Sequence, residues 1–192
     1  MVPWATLGLV ALNVALFFFP IQPPRAACLS VQTVWVQGQW QRILLAPFHH
    51  LSFSHLLLNM ATLFWLGRGM EVEVGSLRTG TVLTSLALLG GVLHLALNKV
   101  LEAATGHPWY REHCAVGFSG VLFSLEAMGR HVELVPVATL ATGGIITTTR
   151  WLCLLEWLAL AVVHPRSSIT GHLSGILAGL ALSALLFLLE LP

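Results

Sequence analysis

The sequence predicts an all-α polytopic membrane protein, a bundle of six transmembrane helices. Two observations predict it. Of the 192 residues, 56% are hydrophobic and only 9% charged, against about a quarter charged in soluble proteins. A water-soluble domain of that make-up would lack the polar side chains to cover its surface, and the mean hydropathy of +0.83 says the same. The apolar residues also fall into six segments divided by proline, glycine and charge, at lengths that suit helices. The length suits a single domain over residues 1–192, with no repeats and no low-complexity linker to divide it. A net charge of +1 argues against nucleic acid as a partner. Three cysteines, Cys28, Cys114 and Cys153, exclude a disulfide-dense scaffold.

The first helix is expected over about residues 3–19, stopped by Pro20 with Pro23 and Pro24 beyond. Without a basic leader or a small-residue cleavage site it reads as a retained helix, not a signal peptide. A long connection from Ile21 to Leu51 carries Arg25, Trp35, Trp40, Arg42, His49 and His50; such tryptophan-rich, weakly charged chain suits the membrane interface. The second helix is expected over 52–67, followed by a short charged turn from Arg68 to Arg78. The third covers 79–97, with Asn98, Lys99 and Glu102 marking its exit. A loop holding Gly106, Pro108, Trp109 and Tyr110 leads to the fourth helix, 115–129, which is too short for a hydrocarbon core that needs about 20 residues. From Val132 to Thr149, Pro136, Gly143, Gly144 and the threonine run predict a loop or partly embedded segment. The fifth helix, 150–163, contains Glu156, and the sixth, 169–189, has no charged residue.

The stretch with the most chemistry is Gly117-Phe118-Ser119-Gly120, where a polar loop gives way to the fourth helix. A serine bracketed by glycines at a helix start has free backbone N–H groups beside it and a hydroxyl that can be approached closely. The same four residues also describe a small-residue packing surface. Position decides between the two. If the helices alternate in direction, the second, fourth and sixth start on one membrane face, and His55, Asn59, Ser119 and His172 all lie in their early turns. At 1.5 Å per residue, Ser119 lies roughly 16 Å from Arg130, near the bilayer middle, and Asn59 roughly 14 Å from Arg68, while His172 is roughly 5 Å below Ile169. Tilted helices and water entering from that face would bring the four into one cavity.

A serine hydroxyl is a poor nucleophile until a base takes its proton, and neutral histidine is the usual base near neutrality. His172 fits that role. No acidic residue lies early in the second, fourth or sixth helix, so the arrangement is a dyad and not a triad. Attack on a carbonyl needs preorganised donors for the oxyanion. The Ser119 N–H at a positive helix end is one. His55 and Asn59, four residues apart, share a helix face, and both can donate. Gly171, Ser174, Gly175, Ala178 and Gly179 give the sixth helix a small-residue face that lets another helix come close.

Other residues read more plainly. Nine histidines include no H-E-x-x-H pattern, and His49-His50 has no acidic partner nearby, which argues against a metal. Cys28 and Cys114 fall in loops on one face, so a disulfide is geometrically permitted, although free buried thiols are the favoured reading. Arg42 and Glu71 read as braces and Glu156 as a hydrogen-bonding residue between helices. Arg25, Arg42, Lys99, Arg111 and Arg166 in loops one, three and five are matched by Arg68, Arg78, Arg130 and Arg150 opposite, so charge decides no orientation. Nothing in the sequence speaks to oligomeric state.

Taken together, Trp40-Gln41-Arg42, His55-Leu56-Leu57-Leu58-Asn59, Glu71-Val72-Glu73-Val74-Gly75, Gly117-Phe118-Ser119-Gly120 and His172-Leu173-Ser174-Gly175-Ile176-Leu177-Ala178-Gly179 resemble, in this order, the rhomboid intramembrane serine proteases. The resemblance covers most of the chain and leaves only Val132 to Thr149 without a counterpart. Cys28-Leu29-Ser30-Val31, the run from Trp40 to His50, the run from Cys114 to Phe123, and Glu156 are similar to the rhomboid-related protein 4 group of the animal endoplasmic reticulum. The resemblance implies a rhomboid-like bundle in the endoplasmic reticulum membrane, with cytosolic termini and a site facing the lumen or exterior. It implies hydrolysis of transmembrane or membrane-proximal segments of membrane-protein substrates within the lipid bilayer, with no cofactor and no metal. Ser119 would be the nucleophile and His172 the general base. His55, Asn59 and the Ser119 amide would hold the oxyanion, with Gly117, Gly120, Phe123, Gly175 and Gly179 in support. Phe123 departs from the tyrosine that many rhomboids stack on the catalytic histidine, so the stack is expected without its hydroxyl. Because the chain ends at Pro192, the soluble tail that couples this group to ubiquitin-dependent degradation is not expected. The rival reading is a catalytically silent rhomboid-like or derlin-like protein that binds membrane clients; a small transporter is a third, for which Glu156 alone is thin support.

Overall fold

The computed structural model describes residues 2–129, 158 and 168–190, and these are mostly helical, with one isolated backbone bridge between Leu29 and Ala115. Helix α1, Trp4–Phe18, ends ahead of Pro20 as expected. The long connection that follows holds more structure than its loop-like composition suggests. Helix α2 is Pro24–Ala27, a π-helical turn covers Gln32–Val36, helix α3 is Arg42–Leu45, and a 3-10 turn covers Ala46–Phe48. Pro24 and Pro47 sit in first turns, where a missing N–H costs nothing.

Helix α4 is Phe53–Val74. Ser52 caps it by accepting the His55 N–H at 3.2 Å. The expected end at residue 67 is too early by seven residues, because the charged stretch after Arg68 is not a solvated turn. Glu71 is fully buried, and its carboxylate accepts the N–H groups of Ala5 and Thr6, both at 2.8 Å, and the Thr6 hydroxyl at 2.6 Å. Those are orphan donors of the first turn of α1, so the charge ties two helices together. The helix stops at Gly75, whose φ of 84° suits glycine.

Helix α5 runs Ser76–Thr105, beyond the expected 79–97 at both ends. Its polar residues after 97 point at partners instead of ending the helix. Asn98 is buried and donates to the His94 carbonyl at 2.8 Å and to the Thr170 hydroxyl at 3.1 Å. The Lys99 ammonium lies 3.9 Å from the Trp35 ring centre, and Glu102 pairs with Arg111 at 2.5 Å. Helix α6 is Trp109–Glu112. Helix α7 is Ser119–Met128, four residues later in its start than the expected 115. Ala115 is taken up in the bridge with Leu29, and Gly117 has a φ of 110°, which no helix contains. Helix α8 is Ile169–Glu190. The expected fifth helix over 150–163, with Glu156, and the segment from Val132 to Thr149 lie outside the described residues.

Among the described residues, two helices, Ser76–Thr105 and Ile169–Leu188, are long and apolar enough to cross a membrane. Between lipid-embedded helices apolar burial gives little drive, so close packing and polar contacts decide the arrangement. The tightest contact is α7 against α8. A side chain at Gly175 would collide with the Gly120 carbonyl oxygen, and one at Gly179 with the Ser124 carbonyl oxygen. Around this pair, Leu56, Leu63, Met70, Leu83, Leu86, Phe118 and Leu125 form the main apolar core, from α4, α5 and α7 with the residue ahead of it.

Candidate active site

Ser119 is the first residue of α7, so the N–H groups beside it have no partner within the helix. Its Oγ lies 2.9 Å from Nε2 of His172 in the first turn of α8. The glycine contact between α7 and α8 makes this distance available, since Gly120 and Gly175 follow Ser119 and His172 by one and three residues. Phe123, one turn after the serine, lies against the imidazole, with ring centres 4.7 Å apart and planes at 31°. The His172 N–H donates to the Ser168 carbonyl at 2.9 Å, and the residue is 8% exposed. Ring face, ring nitrogen and backbone are therefore all held.

A cavity of about 510 Å³ opens over the pair, and His55, Asn59, Gly117, Ser119, Gly120 and His172 all line it. Sequence reasoning named these six, and the structure brings them together. The His55 ring packs against Gly117 so closely that a Cβ there would lie 2.7 Å from Nε2; with its positive φ, position 117 takes only glycine. Asn59 is 4% exposed and spends one amide hydrogen on the His55 carbonyl, at 2.8 Å, which leaves a second to donate. Phe123 lines the cavity as well, against the imidazole face, and Gly179 acts from behind, on the helix contact.

Loop one clamps the approach to the serine. Cys28 and Cys114 are disulfide-bonded with Cα atoms 5.7 Å apart, contrary to the favoured reading of free thiols. The reason is local. Leu29 and Ala115 exchange backbone hydrogen bonds of 2.8 and 2.9 Å, which sets the cysteines beside them face to face. The Gly117 N–H donates to the Ala46 carbonyl at 2.9 Å. Arg42 donates to the Cys28 carbonyl at 2.9 Å and to Gln39 at 2.6 Å, so it braces the loop as expected.

His50 was visible in the sequence only as half of a His-His pair. Its buried ring lies 5.0 Å from that of His55, edge to face, and Nε2 takes a long hydrogen bond of 3.5 Å from the Phe118 N–H. Burial first, then the neighbouring His55 and His49, push its pKa down from 6.5 to about 3, which keeps the ring neutral and able to accept. Its place two residues ahead of the α4 cap at Ser52 was the available signal. Among the described residues, no group of three or more histidines, cysteines or carboxylates is placed to hold a metal.

A Rhomboid domain matches residues 37–189, which include His50, His55, Asn59, Ser119 and His172. The chain belongs to the rhomboid family. Human rhomboid-related protein 4 is 38% identical over 179 residues, 93% of this rhomboid and 56% of the human protein. The mouse protein of the same name is 37% identical over 179 residues, with the same two shares. The Rhomboid-type serine protease 2 of Saccharomyces cerevisiae is 32% identical over 146 residues, 75% of this chain and 53% of its own. This rhomboid thus sits with the rhomboid-related protein 4 group, and it spans about half the length of the relatives it matches. Rhomboids are integral to membranes, which accounts for a composition no aqueous surface would tolerate.

Proposed function

We propose that this rhomboid is a serine endopeptidase that cuts transmembrane or membrane-proximal segments of membrane proteins. The observation that carries the reading is the 2.9 Å contact between Ser119 Oγ and His172 Nε2 on the wall of a cavity, in a member of a family with serine-protease-named relatives. His172 takes the hydroxyl proton as Ser119 attacks the carbonyl, then gives it to the leaving amine; water hydrolyses the acyl-enzyme by the same path in reverse. The Ser119 amide, His55 and the free Asn59 amide hydrogen stabilise the oxyanion. An intact helix hides its carbonyls, so the substrate segment enters unwound. No step calls for a cofactor or metal. The same reading takes residues 1–192 as one six-helix domain, in the endoplasmic reticulum membrane.

The test is labelling of the purified protein in detergent by a fluorophosphonate. The parent is expected to label, Ser119→Ala not at all, and His172→Ala slower by roughly a million-fold, the scale on which removal of a catalytic histidine acts. Equal labelling of all three would sink the dyad and leave a silent, client-binding rhomboid as the better reading.

A further inference from the structure

Among the described residues, the first turn of α8, which carries His172, is fastened by two polar contacts that do not belong to the dyad itself. One is Thr170, whose hydroxyl meets the Asn98 amide of α5 at 3.1 Å. The other is Ser168. Its Oγ accepts the Gly171 N–H at 3.1 Å and its carbonyl accepts the His172 N–H at 2.9 Å, so it caps the helix on which the base sits. That same Oγ lies 3.0 Å from Nε2 of His113, in the loop after α6. A capping hydroxyl whose rotation is fixed by a third group is better defined than one left to water.

His113 is in turn held on its other sides. Trp109 stacks on it with ring centres 4.0 Å apart and planes at 29°. The His94 ring of α5 lies 6.1 Å away, and the next residue is Cys114, joined to Cys28. Gly171 fits beneath with little room, since a Cβ there would lie 2.7 Å from Ser168 Oγ and 3.2 Å from the Ala115 Cβ. The loop segment 113–115 therefore touches both ends of the reaction: Ala115 leads into Ser119, and His113 reaches the cap of the helix bearing His172.

We infer that His113 is a positioning residue, which holds the Ser168 cap and through it the register of His172 against Ser119. The inference rests on the protease reading above and adds a residue to it. Burial lowers the His113 pKa, so a neutral ring makes the contact, and with either tautomer, because the Ser168 hydroxyl can donate or accept.

The test compares His113→Asn, whose amide is too short to reach Ser168, with His113→Gln, whose amide nitrogen falls near the lost Nε2. Each is reacted with a fluorophosphonate over a range of concentrations, to separate the maximal inactivation rate from the half-saturating concentration, and its thermal unfolding is followed in the same detergent. For His113→Asn the maximal rate is expected to fall roughly tenfold at unchanged half-saturation, part of the ~100-fold that a misplacement of about 1 Å can cost. His113→Gln should recover most of it. Adding Ser168→Ala to His113→Asn should cost no more than Ser168→Ala alone, because both act through one contact. Equal rates for parent and His113→Asn, equal impairment of the Asn and Gln variants, or a change confined to half-saturation would overturn the inference while the parent still labels. If the parent itself fails to label through Ser119, it is the protease reading that falls. Should His113→Asn fail to fold, the Gln and Ser168→Ala variants decide: full activity in Ser168→Ala refutes the role.

Discussion

Replacing Gly175 by alanine tests whether the contact between α7 and α8 holds the dyad. The added Cβ meets only backbone: the Gly120 carbonyl oxygen, its carbon at 2.9 Å and the Cα at 3.1 Å. Ordinary contact begins at 3.4 Å, and a carbonyl in a helix cannot swing aside, so the helices must part by about 0.5 Å or more. His172 is three residues from Gly175, on the same face, and inherits the displacement. The 2.9 Å bond from Ser119 then lengthens past the ~3.2 Å at which such bonds fail. Overpacking costs ~1–3 kcal/mol, against which alanine returns ~1 kcal/mol of helix propensity, so the protein should fold with a modestly lowered melting temperature. Its fluorophosphonate labelling rate, by contrast, should fall roughly 10- to 100-fold. Gly80→Ala is the control, since its Cβ would meet nothing nearer than Ala5 at 3.9 Å. If Gly175→Ala labels at the parental rate, the glycine contact does not set the dyad distance and the reasoning is wrong.

Two further outcomes are expected. Denatured without reductant, the chain should take one maleimide polymer, on Cys153, and three after reduction, because Cys28 and Cys114 are joined; three adducts without reductant would contradict the bond. His50 should make the fold acid-sensitive. Folded, it titrates near 3, and unfolded near 6.5, so the unfolded chain takes up the proton first. Its contribution is complete above pH 6.5 and is lost progressively as pH falls toward 3. On acidification from about pH 7 to about pH 4, His50→Gln should lose less melting temperature than the parent; equal losses would refute this.

What could be read from the sequence was whatever depends on spacing along one helix or on composition. His55 and Asn59 share a face by their four-residue interval. Ser119 announces itself by its glycines, and Gly175 and Gly179 by their period. The errors fell where a polar residue has a partner far along the chain. Glu71 read as a brace but inside a turn, because nothing local shows that it binds Ala5 and Thr6, some 65 residues earlier, from within a helix. Asn98 looked like a helix exit for the same reason, its partner Thr170 being 72 residues on. Ala115 passed as helical, since a bridge to Leu29 leaves no trace in an apolar run. His50 and His113 went unassigned because histidines in loops carry no period at all.

The short α7 has a consequence for volume. Ten residues make a helix about 15 Å long, half of a hydrocarbon core of ~30 Å. The half-helix that would complete the span, about 10 Å across, would fill roughly 1,200 Å³. Ala115, Val116 and Gly117, which precede the helix, line the cavity of about 510 Å³ that opens over Ser119. The space over Ser119 is thus made by omission of helix. Among the described helices, α4, α5 and α8 keep 22, 30 and 22 residues beside it, so the opening costs none of them a turn.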